Sequence, residues 1–569
     1  MGRDEPHRRS PVSIPHEPAS TFPELLAEIV ATRADHPALV TIDETLTYRD
    51  LERRSARMAR ALLASGAGKG TRIALLAPDG VLWLTTFYAG LRIGALVTPI
   101  STLATPPELA HILRTSDAQL LVGARRFLRR DFADNLAAAL PGLGESRAGA
   151  LRIVEAPHLR SIWLDDAGGV PWAEPVADLL ARADDPGASG ASGAPGDALL
   201  AAVERAVAPG DDAFVVYTSG STATPKAVVH GHWAVARQPR ALAPIFLMTE
   251  SDRTMPLLPA FWMGGIAAAL QVLCTGSTLV YPPSPAVEDA LDTIERHDIT
   301  YVVIWQALAK LRAAAIARGI DVDRIRGMGA PPRDEHGELI PPGLRANLFG
   351  MSESFSAHSA EPINRRMPDD KVGASGRAVN GIERRVVNPE TGEDVVAGEV
   401  GELYLRGGAL MTGFYKVDRR EVFTPDGFYP TKDLVRIDAD GYCFVVGRTS
   451  DMIKTSSANV SRLEVEAALN ALAEVELALV TGLPDEALGE MVVAAVVCAA
   501  GASPTEADLQ AALRDRISSF KIPRRIVFVT SDDVPQTTTG KVRLTELARL
   551  FDTPLDRDLD QDLDRLPDR

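Results

Sequence analysis

Residues 213–232 read AFVVYTSGSTATPKAVVHGH, and the side chains of this stretch decide how the rest of the chain is read. The apolar run from Phe214 to Tyr217 predicts a buried strand. Six consecutive small or hydroxyl residues, Thr218 to Ala223, follow it, and Pro225 and Lys226 come before the chain turns apolar again. Polyphosphate binding requires this combination: backbone that can approach closely, converging N–H and O–H donors, and a cation that stays protonated at neutral pH. The spacing is not G-x-x-x-x-G-K-S/T, so this is not a Walker-type loop. A Ser-Gly-Ser cluster alone is more often an ordinary turn, so the longer strand, loop and lysine pattern carries the phosphate reading.

Upstream, from Thr21 to about Val122, helical and strand patterns alternate. An amphipathic segment from Leu51 to Leu63 precedes the apolar run from Arg72 to Ala77, and a helix from Trp83 to Ile93 precedes Ala95 to Pro99. That alternation predicts an α/β layered fold. The Gly/Ala/Ser-rich stretch from Asp184 to Asp197 can bury almost nothing and reads as a mobile surface loop. Downstream, GELYLRGG (Gly401 to Gly408) and DADGYCFVVGR (Asp438 to Arg448) read as strands, and the Asp440-Gly441 pair signals a hairpin. Beyond Arg448 a compact α+β unit is expected. It comprises a helix from Val460 to Leu472, strands from Leu477 to Leu483 and Met491 to Ala499, a helix from Thr505 to Ile517 and a strand from Arg525 to Val529.

The chain has 569 residues and a formal charge of −16, so nothing in the balance favours nucleic acid or an anionic membrane surface. Its three cysteines, Cys274, Cys443 and Cys498, lie far apart without metal-ligand spacing, which predicts neither disulfides nor a zinc site. The polar, proline-containing start lacks the apolar core of a secretory signal, and no apolar run reaches the ~18 residues of a membrane span. The cytoplasm is the expected compartment.

The 213–232 stretch resembles the signature loop of the adenylate-forming superfamily, which includes acyl-CoA synthetases, peptide-synthetase adenylation domains and firefly luciferase. Ala223 and Ala227 stand where that family generally has glycine. Four further motifs follow in family order, and the resemblance extends from about Thr21 to Leu547. It implies that Thr218, Ser219, Gly220, Ser221, Thr222 and Lys226 hold the phosphates of ATP. MGAPP (Met328 to Pro332) is similar to the adenine-stacking loop, which implies nucleotide contacts for Gly329, Ala330 and Pro331. NLFGMSES (Asn347 to Ser354) resembles the aromatic-Gly-x-Thr-Glu motif and places Phe349 and Gly350 beside the nucleotide, Ser352 in the catalytic set, and Glu353 as the Mg²⁺ ligand. YPTKDLVRID (Tyr429 to Asp438) implies that Asp433 accepts the ribose hydroxyls, with Lys432 in place of a usual glycine. In VVGRTSDMIKTSSANVSRLEVE (Val445 to Glu466), Arg448 matches the arginine that contacts ribose and phosphate, and Ser450 occupies the hinge. Lys454 and the pair Ser456-Ser457, where the family has two glycines, fall on the thiol side. PQTTTGKVRLTEL (Pro535 to Leu547) ends the set with Lys541, the expected catalytic lysine of adenylate formation.

The expected architecture is therefore α/β, a large multi-subdomain N-terminal domain (21–449) and a small mobile C-terminal α+β domain (450–551), flanked by a flexible N-terminus (1–20) and a flexible acidic tail (552–569). The resemblance also implies an acid pocket around PAFWMGG, with Phe261, Trp262, Met263, Gly264, Trp305, Met351 and Phe355 as its lining. Trp262 stands where many relatives carry His. This apolar, aromatic set favours an aromatic or medium apolar acid. The expected function is ATP-dependent acyl-adenylate formation, then acyl transfer to coenzyme A. The alternatives are an acyl-AMP ligase loading a carrier protein and, less in keeping with Lys541, Glu353 and Asp433, a non-catalytic nucleotide-binding protein. The expected cofactors are ATP, Mg²⁺ and coenzyme A. The expected partners are a small carboxylic acid and a thiol acceptor, with no nucleic acid and no membrane span.

Overall fold

The computed structural model describes residues 18–184, 196–218, 226–304, 308–329, 332–448, 452–455, 458–485, 489–514, 516–517, 521–536 and 542–551. The Gly/Ala/Ser-rich loop, apart from its ends, and the tail from 552 lie outside them. The chain forms two compact units, Met1–Glu383 with Leu405–Tyr429, and Arg384–Tyr404 with Pro430–Arg569.

In the first unit, local sequence sets the helices. Thr47 caps the helix Tyr48–Ala64: its Oγ1 accepts from Asp50 N at 3.1 Å, while the Asp50 carboxylate accepts from Thr47 N. This reciprocal box satisfies two end donors that the helix cannot pair itself. Leu51, Ser55, Met58 and Leu62 share the buried face, as the i, i+4, i+7 spacing requires. The helix Val81–Arg92 is buried along nearly its whole length. Its last residue, Arg92, is a buried cation held by Glu204 at 2.5 Å and Glu52 at 2.9 Å.

The main sheet has eight strands in the order Gly413–Phe414, Lys226–Gly231, Asp212–Thr218, Leu96–Pro99, Arg72–Leu76, Leu120–Gly123, Ser161–Leu164 and Glu174–Pro175. From Asp212–Thr218 onward the pairing is parallel, and the first two strands run antiparallel to their neighbours. Buried parallel strands lack alternation, which is why RIALL and FVV read as continuous apolar runs. A second sheet orders Tyr301–Val303, Arg253–Pro256, Thr278–Val280, Pro37–Val40 and Thr45–Thr47.

A chain of rings crosses the core. Trp83 stacks on Phe87 at 4.7 Å, Phe87 meets Phe214 at 5.7 Å, and Phe214 meets Phe355 edge-on at 5.8 Å. Phe355 in turn meets the His230 imidazole at 4.9 Å. Each buried ring contributes roughly 1.5–3 kcal/mol by area, an upper figure because unfolded chains already bury some surface. His230 lies against these rings, His232 is likewise buried, and burial pushes both imidazoles down to about 4.

Glu383–Val387, Val400–Arg406, Tyr429–Ile437 and Cys443–Arg448 form a four-stranded sheet, most of whose residues belong to the second unit. The Asp440-Gly441 hairpin is present: Gly441 has φ 82°, and Asp438 Oδ1 accepts from Asp440 N and Tyr442 N. The α+β portion packs the helices Arg462–Asn470 and Glu506–Leu513 on a sheet of Ala458–Ser461, Met452–Thr455, Gly489–Cys498, Val475–Asp485 and Arg525–Phe528. Val465, Leu469, Val480, Val496, Leu509 and Leu513 form its core.

Lys432 adopts the left-handed conformation, φ 65°, with its N–H donating to Glu402 Oε1 at 2.9 Å. A residue with a Cβ pays about 1–2 kcal/mol there, against the ~0.5–1 kcal/mol by which glycine loosens the unfolded chain. Lys432→Gly is therefore expected to raise stability by up to about 1 kcal/mol, read as a higher urea midpoint. A lower midpoint would refute the strain argument. The buried histidines give a pH signature. Unfolded imidazoles bind protons near 6.5 and these two do not until about 4, so the folded state loses stability as pH falls through that window. At 1.36 kcal/mol per unit, each ring accounts for about 3 kcal/mol at pH 4. His232→Asn keeps an acceptor for Phe22 N, which His232 Nδ1 now receives at 3.3 Å, and cannot gain charge. It should make the acid slope of the urea midpoint shallower, whereas an unchanged slope would contradict the assignment.

Candidate active site

The two arms of the loop expected to bind phosphate form one antiparallel ladder, with Tyr217 opposite Ala227 and Thr218 opposite Lys226. Ser219, Gly220, Ser221, Thr222 and Ala223 lie outside the described residues. Ala227 occupies a regular strand position, where an alanine needs no glycine-only backbone. Lys226 is half-buried and its Nζ sits 5.2 Å from the Phe414 ring centre, a cation–π contact that holds the ammonium at the loop's base.

The segment carrying Glu353 doubles back on itself. The strand Phe349–Met351 turns through Ser352–Ser354 and returns as Ser356–Ala360. A Cβ on Gly350 would stand 2.2 Å from the Ser356 carbonyl oxygen, so only glycine permits this approach. Phe355 and Ser356 then take φ 53° and 88°, left-handed values that cost on the order of 1–3 kcal/mol each in residues other than glycine. Three contacts hold the strained turn. Ser354 Oγ donates to Ser356 O at 2.6 Å, Phe355 is fully buried, and His230 Nε2 donates to Ser352 O at 2.7 Å. Because a carbonyl only accepts, Nε2 carries the proton, leaving Nδ1 buried with no partner among the described residues. Glu353 is further fixed at its carbonyl by Met411 N at 2.8 Å and reached at Oε1 by Tyr429 Oη at 3.4 Å.

The expected acid loop leaves the strand Arg253–Pro256 and enters the helix Met263–Thr275. Phe261 and Met263 are buried, Trp262 and Gly264 half-buried, and the Phe261 and Trp262 rings meet edge to face at 5.2 Å. The helix packs on Ser356–Ala360 and so touches the strand that follows Glu353. Met351 is half-buried beside Val228, Met411 and Phe423, and Phe355 is sealed in the ring chain of the core. Trp305, Ala330 and Pro331 lie outside the described residues. Gly329, before the last two, is exposed with φ 81°. Phe349 is half-buried, edge-on to His358 at 4.7 Å.

In the second unit, Asp433 is 3% exposed and stands opposite Arg448 in the ladder, whose Nε donates to Asp433 Oδ1 at 2.5 Å. Thr431 Oγ1 accepts from Asp433 N at 3.1 Å. Burial raises the neighbouring Glu402 carboxyl above its ordinary range, opposed by Lys432. Lys454 lies on the strand Met452–Thr455, opposite Asn459; Ser450, Ser456, Ser457 and Lys541 lie outside the described residues.

Three residues with evident roles here carried no role in the sequence reading: His230, Tyr429 and Glu402. His230 offered the clearest signal, an imidazole directly following the apolar run AVV. Among the described residues, no helix is long and apolar enough to cross a membrane, and no group of three His, Cys, Asp or Glu side chains could hold a metal unaided.

The sequence model described as AMP-binding enzyme matches residues 26–415, and that of the AMP-binding enzyme C-terminal domain matches 464–541. Among similar proteins, the salicyl-AMP ligase / salicyl-S-ArCP synthetase of Mycobacterium tuberculosis is 30% identical, over 93% of this chain and 89% of that protein. The fatty acid/acyl-carrier-protein ligase ScoC of Streptomyces coeruleorubidus is 29% identical, over 93% and 96%. The crystal structure of ATP-bound MatB from Rhodopseudomonas palustris superposes with a TM-score of 0.71 at 25% identity, covering 93% of this chain and 99% of that one. The chain thus belongs to the AMP-binding enzyme family, as an adenylate-forming ligase of the acyl-CoA synthetase type.

Proposed function

We propose that the chain converts an aromatic or medium apolar carboxylic acid to its acyl-adenylate, releasing pyrophosphate from ATP, and passes the acyl group to the thiol of coenzyme A. The observation that carries this reading is the ladder that sets Lys226 opposite Thr218 at the two ends of a hydroxyl-rich loop. In this reading Thr218 to Thr222 and Lys226 bind the phosphates. Gly329 to Pro331 with Phe349 and Gly350 bound the adenine, and Asp433 with Arg448 holds the ribose. Asp433 is suited to that task, because carboxylate oxygens accept hydroxyl donors and the Arg448 guanidinium fixes its position.

Mg²⁺ keeps few protein ligands and favours carboxylate and phosphate oxygens, which fits a single half-buried Glu353 rather than a cage. Held there with the triphosphate, it would neutralise charge on the departing pyrophosphate. The chain's own part is to keep Glu353 still, through the Ser352 and Glu353 carbonyl contacts, while Lys541 stabilises charge at the α-phosphate. Phe261, Trp262 and Met263 exclude water from the acid's apolar portion. A small domain spanning 450–551 turns about Ser450 between the two half-reactions, bringing Lys454, Ser456 and Ser457 to the thiol. The three cysteines are thiols rather than disulfides, as suits a reducing cytoplasm.

Two similar proteins bear names of carrier-protein ligases, which supports a second reading with a pantetheinylated carrier as acceptor. An acid screen for pyrophosphate release, followed by thioester formation with coenzyme A or a pantetheinylated carrier, separates the two. Lys541→Ala tests the mechanism. It should cut acid-dependent pyrophosphate release on the order of 10²–10³-fold while a supplied acyl-adenylate is still converted to thioester at a near-normal rate. Normal pyrophosphate release, or equal loss of both single-turnover rates in a folded variant, would remove Lys541 from adenylation.

A further inference from the structure

The acid loop is tethered by a residue far from it in sequence. Asp79 follows the strand Arg72–Leu76 of the main sheet, and its Oδ1 accepts the N–H of Ala260 at 2.9 Å. Gly80, next to it, takes φ 154° and ψ −162°, a region essentially reserved for glycine, so the turn that delivers Asp79 is specified by sequence. Ala260 is fully buried and belongs to the loop after the strand Arg253–Pro256 of the other sheet, one residue before Phe261 and two before Trp262. The loop's far end is closed sterically, since a Cβ on Gly265 would stand 2.2 Å from the Pro259 carbonyl oxygen. One polar tether and one backbone contact therefore bracket the two rings.

Asp79 also lines a cavity of about 240 Å³ together with Tyr281, whose buried Oη has no partner among the described residues. Exposed Ile42 and Asp43 line the same cavity, which opens it to solvent. The other titratable groups here are Tyr281, Tyr88 near it, Asp43, and Glu44, which Arg54 holds at 2.8 and 2.6 Å. Burial pushes the Asp79 carboxyl up to about 7, opposed by the Ala260 N–H.

We propose that Asp79 is the positioning residue of the acid pocket, fixing Ala260 and so aiming Phe261 and Trp262, and that it thereby determines which acids are accepted. This rests on the reading of 259–265 as the acid pocket. An ionised acceptor makes a hydrogen bond roughly twice as strong as a neutral one. The loop is therefore held more tightly as Asp79 ionises, and discrimination among acids sharpens from pH 6 to 8.

The test measures acid-dependent pyrophosphate release by the full chain with acetate, hexanoate, benzoate and cinnamate, at pH 6 to 8, in Asp79→Ala, Asp79→Asn and Trp262→Ala. Asp79→Ala should raise the acid KM about tenfold and reorder kcat/KM across the series, while the ATP KM stays within about twofold. Asp79→Asn keeps an acceptor oxygen and cannot ionise, so it should keep an acid ranking that no longer changes with pH. If Trp262→Ala reorders the acids and Asp79→Ala does not, the Asp79 proposal fails alone. If neither does, the acid-pocket reading fails with it. Equal rises in acid and ATP KM would make Asp79 merely structural and overturn the proposal. Should Asp79→Ala not fold, a wild-type pH response in Asp79→Asn overturns it equally.

Discussion

The hydrogen bond from the fully buried His230 Nε2 to the half-buried Ser352 carbonyl, 2.7 Å long, joins the strand leaving the loop expected to bind phosphate to the turn that presents Glu353. Both residues at the end of that turn, Phe355 and Ser356, sit in left-handed backbone, so the turn would relax without an external hold. An imidazole suits the task because it is stiff and reaches from a strand, and burial keeps it neutral at physiological pH. The ring chain from Trp83 through Phe87, Phe214 and Phe355 packs against the same imidazole. Core packing and site geometry in the first unit are thus one system, and a loosened core would be felt at Glu353.

Electrostatics are arranged differently in the second unit. Asp433 is nearly enclosed, yet it faces a half-exposed Arg448, so the carboxylate is desolvated while its partner keeps much of its hydration. The neighbouring Glu402 carboxyl is raised by burial and accepts the N–H of Lys432, which holds the residue before Asp433 in its unusual conformation. A strained backbone position is thereby stabilised beside a residue with a proposed binding role, as strained positions often are near functional groups.

Departures from the family's glycines illustrate how unequal such substitutions are. Ala227 stands in a regular ladder opposite Tyr217, where a methyl group costs nothing. Lys432 stands at φ 65°, where it does cost. Gly350 is retained where a Cβ would collide with backbone at 2.2 Å. From sequence alone the first two departures looked alike, because a one-dimensional pattern carries no dihedral angles.

The sequence by itself determined the layered α/β class, the amphipathic helix read from Leu51 to Leu63, the Asp440-Gly441 hairpin, and the order of the motifs. These follow from periodicity, turn chemistry and short motifs, all of which act over a few residues. Tertiary structure alone decided what depends on long-range approach. His230 meets Ser352 across 122 residues of chain, Asp79 meets Ala260 across 181, and Phe355 falls within the core. A buried polar group must find its partner wherever the fold brings one, and sequence spacing does not encode that distance.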